Sequence, residues 1–183
     1  PERKRAAFLK HADILIHQLE QPDRARRILR KLLVQSPHDM AALKLLYDIA
    51  CAERNWSDAK ATLEEICADT QHPDEVRRAR CAFTRIAREA GWTHDMRTLY
   101  ERQAIDAVID SRNDFDALIE DYRTHHELQR LIDVTRRELS QQGNAERIAQ
   151  YRGCVAALLV ANRQHREALA FLSDVIHESQ NTD

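Results

Sequence analysis

One short pattern recurs five times along the chain and constrains its fold more than any other feature. A small or apolar residue stands near the start of a helix-like stretch, at positions separated by 34, 37, 35 and 37 residues. These landmark positions are Ala25, Ala59, Met96, Leu131 and Ala168. Such a regular period is typical of stacked repeats, in which each repeat buries its apolar face against its neighbours.

Apolar side chains follow the landmark at helical spacing. Three repeats have them four and seven residues later, as Leu29 and Leu32, Leu63 and Ile66, Leu172 and Val175. The third and fourth repeats hold Tyr100 and Gln103, Thr135 and Glu138 there. In these two we expect the apolar stripe to shift by one residue, to Leu99 with Ala104 and to Val134 with Leu139.

A second helix precedes each landmark. Apolar periodicity predicts these first helices over 3–19, 39–53, 74–90, 113–124 and 145–161. Pro22, Pro37 and Pro73 fall between helices, Gly91 suits a helix C-terminus, and Ser57, Asp114 and Asn144 are expected N-caps. Gly153 lies inside a helix and suggests close backbone packing. With only 3 Gly and 4 Pro, the chain lacks the turns of an all-β fold.

Residues 25–73 resemble tetratricopeptide (TPR) repeats. Ala25, Leu29, Leu32 and Pro37 are followed by Leu43, Leu46, Tyr47, Ala50, Asn55, Trp56, Ala59, Leu63 and Ile66. Residues 149–175 match as well. The resemblance implies an all-α fold, a right-handed superhelix of about five antiparallel helix pairs. We expect one domain over 1–183, with repeats at about 3–37, 38–73, 74–111, 112–143 and 144–180.

Half-a-TPR repeats of RNA-processing scaffolds are the rival family. Their second helices resemble MRTLYERQA at 96–104 and ARRILRKLL at 25–33, but their first-helix Trp and Tyr pattern is not repeated here. The net charge of −2 argues against a nucleic-acid surface along the whole chain, although residues 1–36 carry +5. We therefore favour the TPR-like reading and do not expect a nucleic-acid partner.

The cysteines, Cys51, Cys67, Cys81 and Cys154, form no CxxC pair. We expect buried free thiols in a reducing compartment, hence a cytoplasmic protein, with a Cys51–Cys67 disulfide as the alternative. No apolar run approaches the roughly 18 residues of a membrane span, so no membrane insertion is expected. Because the chain begins with Pro1 rather than Met, we expect a fragment of a larger protein.

The sequence contains no motif for catalysis. HExxH, GxSxG, P-loop and dinucleotide-binding glycine patterns do not occur in it. His125 and His126 are adjacent in a predicted turn, where histidines are usually exposed rather than metal ligands. We expect no enzyme activity, no cofactor and no metal site.

In TPR-like stacks the first helices line the inner groove, so the resemblance carries groove positions onto this chain. The cations at those positions are Lys10, Lys44, Arg78, Arg85, Arg88 and Arg123. The last repeat contributes small or apolar residues there, Gly153, Ala157 and Val160. The groove is expected to bind a protein or peptide segment with acidic residues. Alternatively, these cations pair with acidic neighbours such as Asp48 and Glu89.

The last helix has an apolar face without a following repeat. Its residues are Leu169, Phe171, Leu172, Val175 and Ile176. Repeat arrays usually end in a polar cap, so this face predicts an interface. Either the parent chain continues over it or two copies form a homodimer.

These features predict a protein-interaction scaffold. Two alternatives stay open: a half-a-TPR-like scaffold of an RNA-processing complex, and a regulatory or sensing domain attached to an enzyme elsewhere in the parent chain. A repeat fold says little about the identity of the partner.

Overall fold

The computed structural model describes residues 2–68 and 72–180, with side chains as far as residue 173. Within these residues the chain forms ten α-helices and no strand. They are α1 (Glu2–His17), α2 (Pro22–Gln35), α3 (Met40–Ala52), α4 (Trp56–Cys67), α5 (Pro73–Glu89), α6 (His94–Val108), α7 (Arg112–Thr124), α8 (Leu128–Gln141), α9 (Ala145–Ala161) and α10 (His165–Gln180). The expected all-α fold is confirmed, and the first helices end within two residues of the predicted bounds.

The turns inside the five helix pairs share one backbone feature. Each contains a residue with a left-handed backbone, with φ between 50° and 64°. These residues are Glu20, Arg54, Gly91, His126 and Arg163. Each lies five positions before its landmark, so the turns repeat the spacing of 34, 37, 35 and 37 residues. The repeat read from the sequence is therefore also a repeat of the backbone.

Hydrogen bonding explains why the left-handed residue recurs. In four turns the residue after it donates its N–H to the carbonyl five residues earlier, which closes the preceding helix. The acceptors are the carbonyls of Ala50, Ala87, Tyr122 and Leu159, all of them buried residues. The first turn is one residue longer, since Gln21 donates to Leu15. Only Gly91 adopts this conformation without strain; the other four accept a cost of about 1 kcal/mol each.

Three local predictions are wrong. Ser57 lies inside α4, because Asn55 is the N-cap and its side chain accepts from a backbone N–H of the first turn. Asp114 lies inside α7, whose N-cap position is held by Ser111. Gly153 is not in close contact with anything, since a Cβ there would meet no atom within 4 Å. The predicted cap Asn144 is confirmed at the start of α9.

The chain divides into two compact units, of which unit 1 ends at Trp92 and unit 2 begins at Thr93. In unit 1 each helix packs against the next one along the chain, from α1 to α5. The interior is mostly apolar, and the buried polar residues are Asp39, Thr62 and Thr84. The residues at the landmark and four and seven positions later are buried: Ala25, Leu29, Leu32, Ala59, Leu63 and Ile66. The expectation of a single domain over 1–183 stays a prediction.

In unit 2, α6 packs against α7 and α8, α8 against α9, and α9 against α10. The predicted shift of the apolar stripe is wrong at Leu99, which is 46% exposed whereas Tyr100 is 8% exposed. It is right at Ala104 and Val134, which are buried, and Leu139 is partly buried. In the next repeat Thr135 and Glu138 keep the core positions and are almost fully buried. In α8 the positions four and seven residues after the landmark are therefore buried as in unit 1, although they hold polar side chains.

Hydrogen bonds and ion pairs inside unit 2 offset the cost of burying charged side chains in its core. Glu101 of α6, only 1% exposed, accepts hydrogen bonds from the Tyr122 hydroxyl of α7 (3.0 Å) and from Nε of Arg130 of α8 (2.6 Å). Glu138 of α8 pairs with Nε of Arg102 of α6 at 2.7 Å. Because buried charges need such partners, these contacts link α6, α7 and α8.

The four cysteines are free thiols, as expected, so the alternative Cys51–Cys67 disulfide is not formed. Only Cys154 is fully buried; the other three are partly exposed. Burial raises the pKa of the Cys154 thiol to about 11. That thiol is therefore protonated at neutral pH and behaves as a small apolar side chain.

Candidate partner-binding surfaces

The first helices of unit 1, α1, α3 and α5, share one surface. Contacts across α3 define it: Lys44 and Tyr47 of α3 reach Glu75 and Arg85 of α5. Helical spacing places Lys44, Tyr47 and Asp48 on one side of α3, because residues three and four apart are neighbours on a helix. This is the surface on which the sequence places most of its groove cations.

Glu75 partly neutralises two of those cations. Its Oε1 lies 2.7 Å from Nζ of Lys44 and 3.2 Å from NH1 of Arg78. Glu75 is the more buried member, with a side chain 19% exposed against 48% for Lys44 and 66% for Arg78. Both cations therefore remain accessible from solvent, but they share one carboxylate.

Arg85 has a tyrosine as its hydrogen-bond partner, and its charge also interacts with Asp48 and Glu89. Its NH2 donates to the Tyr47 hydroxyl at 2.7 Å, and its guanidinium carbon lies 5.8 Å from the centre of the Tyr47 ring. Burial raises the pKa of Asp48, while the positive charges of Arg85 and Lys44 oppose that rise. Arg85 is thus engaged by Tyr47 across α3 and α5 and, like Lys44 and Arg78, it remains exposed.

The remaining predicted cations are placed differently. Lys10 is exposed on α1, and Arg88 is half-buried on α5. Arg123 lies on α7 of unit 2, where its NH1 is 2.6 Å from Oε2 of Glu120. The structure thus brings Lys44, Arg78 and Arg85 together. Sequence reasoning missed Glu75, although its position three residues before Arg78 on a helix is a signal for an ion pair.

In unit 2 the first helices α7 and α9 border an open cavity of about 540 Å³. Its apolar lining comes from Ile119, Ala156, Ala157, Val160 and Ala161, and its charged lining from Arg112, Asp116, Glu120 and Arg123. A second open cavity of about 720 Å³ shares three of these residues and adds His126, Leu128, Asn162 and Arg163. We call the two together the α7–α9 trough. Val160, which is 51% exposed, lies in both parts.

The last helix exposes part of its predicted apolar face. Leu169 is 67% exposed and Leu172 is 41% exposed, whereas Phe171 is partly buried. The side chains of Val175 and Ile176 lie outside the described residues. The interface predicted on this helix, with a second copy or with more of the parent chain, stays a prediction.

Two further properties concern only the described part of the chain. His, Cys, Asp and Glu side chains there nowhere form a group of three or more that could hold a metal ion. None of the helices there has both the length and the apolar content needed to cross a bilayer.

Residues 17–81 match the family model described as tetratricopeptide repeat. The matched segment runs from the last residue of α1 into the middle of α5, within unit 1. This segment therefore carries TPR-like helical repeats, which confirms the resemblance of residues 25–73. No curated protein and no solved structure matches the chain. Repeats of this type support a role as a protein-interaction scaffold and are typically non-catalytic.

Proposed function

We propose that the chain is a scaffold whose first helices bind a segment of a partner protein, and that Lys44 and Arg78 are among the contact residues in unit 1. The observation that carries this proposal is their arrangement. Two exposed cations from neighbouring first helices converge on the single, mostly buried carboxylate of Glu75. Asp48 also interacts with the charge of Lys44. An acidic side chain of a partner segment would add negative charge beside Lys44 and Arg78.

The energies set the scale of this contribution. Exposed ion pairs contribute about 0.2–1 kcal/mol each, so Lys44 and Arg78 favour an acidic segment without holding it alone. Apolar contacts must supply most of the affinity. Tyr47, which lies beside them under Arg85, is buried and positions the surface rather than contacting the partner.

Peptide display on phage tests this proposal, because it needs no known partner. A library of random peptides of about 12 residues is selected against the whole chain, and the enriched peptides are synthesised. The double variant Lys44→Ala, Arg78→Ala should weaken binding of peptides that use unit 1 by about two- to thirtyfold, from two lost pairs. Glu75→Gln should strengthen the binding of the same peptides, because it removes the negative charge that pairs with both cations.

The matched control removes two exposed cations from a second helix. Arg27→Ala with Lys31→Ala on α2 removes the same net charge and should leave peptide binding unchanged. Circular dichroism checks that every variant keeps its helicity. The proposal is wrong if substitutions on the first helices of either unit leave the affinity of every selected peptide unchanged. It is also wrong if Arg27→Ala with Lys31→Ala weakens peptide binding as much as Lys44→Ala with Arg78→Ala.

A further inference from the structure

We infer that the outward side of α2, a second helix, binds the surface of a lipid membrane that carries negative charge. We call this side the α2 basic face. Its members are exposed and lie three, four or seven positions apart, hence on one side of the helix: Arg24, Arg27, Arg30, Lys31 and Val34. The face is separate from the first-helix cations, and the inference does not depend on the proposed peptide binding.

The sequence concentrates positive charge on α2. Residues 24–38 contain five Lys or Arg residues and no acidic residue, although the whole chain has a net charge of −2. The helix α5 also contains five arginines, but its first turn is acidic, with Asp74 and Glu75. These two carboxylates pair with Arg77 and Arg78. The arginines of α5 are therefore partly neutralised within their own helix.

Ion pairing leaves most of the charge of α2 uncompensated. Its one acidic residue, Asp23, lies 2.7 Å from NH1 of Arg26, and Arg26 also pairs with Glu53. Within the described residues, no carboxylate pairs with any of the four cations of the α2 basic face. Arg24 donates to the side-chain oxygen of Gln21, and Arg27 donates to a backbone carbonyl. Four positive charges therefore face solvent together.

Val34 gives the α2 basic face a second property, an apolar side chain that is 83% exposed. Helical spacing places it beside Arg30 and Lys31, four and three positions earlier. In water this exposed apolar side chain is unfavourable. At a bilayer surface it can enter the boundary between headgroups and acyl chains, while the neighbouring cations contact anionic headgroups. Such a contact needs no segment that crosses the bilayer.

A membrane surface fits this face better than RNA or a protein segment does. Lipid headgroups present diffuse charge, so cations along two turns of a helix can contact them at once without matched geometry. RNA phosphates would pair with the cations but would leave Val34 in water, and the α2 basic face has no aromatic side chain for base stacking. A protein segment would need carboxylates at several matched positions, and each exposed pair would contribute little.

Co-sedimentation of the whole chain with vesicles tests the inference. One set of vesicles is phosphatidylcholine alone, and the other contains about 30% phosphatidylserine, both in about 0.1 M salt. We expect binding to the second set only, and weaker binding at higher salt, because salt screens the attraction. Arg27→Ala with Lys31→Ala should lower the partition coefficient about ten- to thirtyfold, or roughly fivefold for each cation.

The matched control is Lys44→Ala with Arg78→Ala, which removes the same net charge from the first-helix surface. It should change vesicle binding by less than about twofold, because those cations lie outside the contact. Two substitutions keep the charge and vary the apolar contact. Val34→Ser should weaken vesicle binding by about two- to fivefold, and Val34→Leu should strengthen it by about two- to threefold. Circular dichroism should show every variant to be folded.

The inference is overturned if the chain does not bind the phosphatidylserine vesicles. It is also overturned if the two double variants weaken binding equally, because the effect would then follow net charge alone, or if Val34→Ser binds as tightly as the wild-type chain. Binding of polyuridylic acid through Arg27 and Lys31, without vesicle binding, would assign the face to RNA instead. Peptide binding by the first helices is measured separately, so either proposal can fail while the other stands.

Discussion

Unit 1 and unit 2 fill equivalent positions with different chemistry. Four and seven residues after the landmark, α2 buries Leu29 and Leu32, whereas α8 buries Thr135 and Glu138. The turns that precede these helices nevertheless each contain a residue with positive φ, five positions before the landmark. The comparison indicates that the turns keep the repeat spacing constant from one helix pair to the next. The core can then hold polar residues, provided that they form hydrogen bonds or ion pairs with other buried side chains. The family match, at 17–81, falls within the unit with the apolar core.

The largest difference between the units is expected for truncation at equivalent core positions. Leu29→Ala leaves a cavity in unit 1 and should lower the free energy of unfolding by about 3 kcal/mol. Thr135→Ala removes less apolar volume, and the Thr135 hydroxyl donates only to its own helix, to the Leu131 carbonyl at 2.7 Å. It should cost about 1 kcal/mol. Equal losses in urea unfolding would show that the two cores are packed alike.

Removing a carboxylate should show the opposite asymmetry. Glu101→Ala removes the buried carboxylate that accepts from the Tyr122 hydroxyl and from Nε of Arg130, and should cost about 2 kcal/mol. Glu75→Ala in unit 1 breaks two pairs whose cations, Lys44 and Arg78, are exposed to solvent, and should cost no more than about 1 kcal/mol. Both values come from urea unfolding at neutral pH. A smaller loss for Glu101→Ala than for Glu75→Ala would contradict a structural role of the buried cluster.

Asp39 is a mostly buried carboxylate in unit 1, and it should make the stability of unit 1 depend on pH. Burial tends to raise its pKa, but hydrogen bonds from Arg5 and from the Ala42 N–H, with the Arg5 charge, lower it below the ordinary value. The carboxylate therefore contributes stability at neutral pH. This contribution is lost as the pH falls from the unfolded pKa of about 3.9 through the folded value.

The variant Asp39→Asn isolates that contribution. Asparagine can still cap α3, so the loss at neutral pH should be about 1 kcal/mol or less, since solvent screens the half-exposed Arg5. The difference in stability between the wild-type chain and the variant should shrink between pH 5 and pH 3 in thermal unfolding. A difference that grows on acidification would contradict the lowered pKa of Asp39.

The smallest effects are expected at two glycines with different roles. Gly153→Ala in α9 meets no atom within 4 Å, so it should stabilise unit 2 by up to about 1 kcal/mol through helix propensity. Gly91→Ala places a Cβ on a left-handed residue and should destabilise by about 1 kcal/mol. Differential scanning calorimetry measures both. A stabilising Gly91→Ala would remove the conformational reason for glycine in that turn.

Much of the fold was predictable because its signals are local. Pro22 and Pro73 mark the starts of α2 and α5, and the landmark period marks the phase of the repeats. Of the three predicted caps only Asn144 is right. The predicted shift to Leu99 failed because the aromatic side chain of Tyr100 keeps the core position four residues after the landmark. Glu101 is buried by its pairing with Tyr122 and Arg130, residues 21 and 29 positions away, and no local pattern marks such a pairing.

The candidate surfaces were less predictable than the fold. The sequence identified Lys44 and Arg78 as groove cations, and the structure places them together on unit 1. Which acidic residue they share depends on how α3 and α5 face each other. The α7–α9 trough is likewise lined in part by Arg163, a turn residue outside the first-helix positions that the family resemblance supplies.

Solution NMR of the whole chain tests most directly whether the five turns share a positive φ at equivalent positions. Chemical shifts and HN–Hα couplings report the sign of φ at each residue. We predict positive φ at Glu20, Arg54, Gly91, His126 and Arg163. A right-handed or extended backbone at His126 or Arg163 would contradict that shared conformation and remove the geometry of the α7–α9 trough.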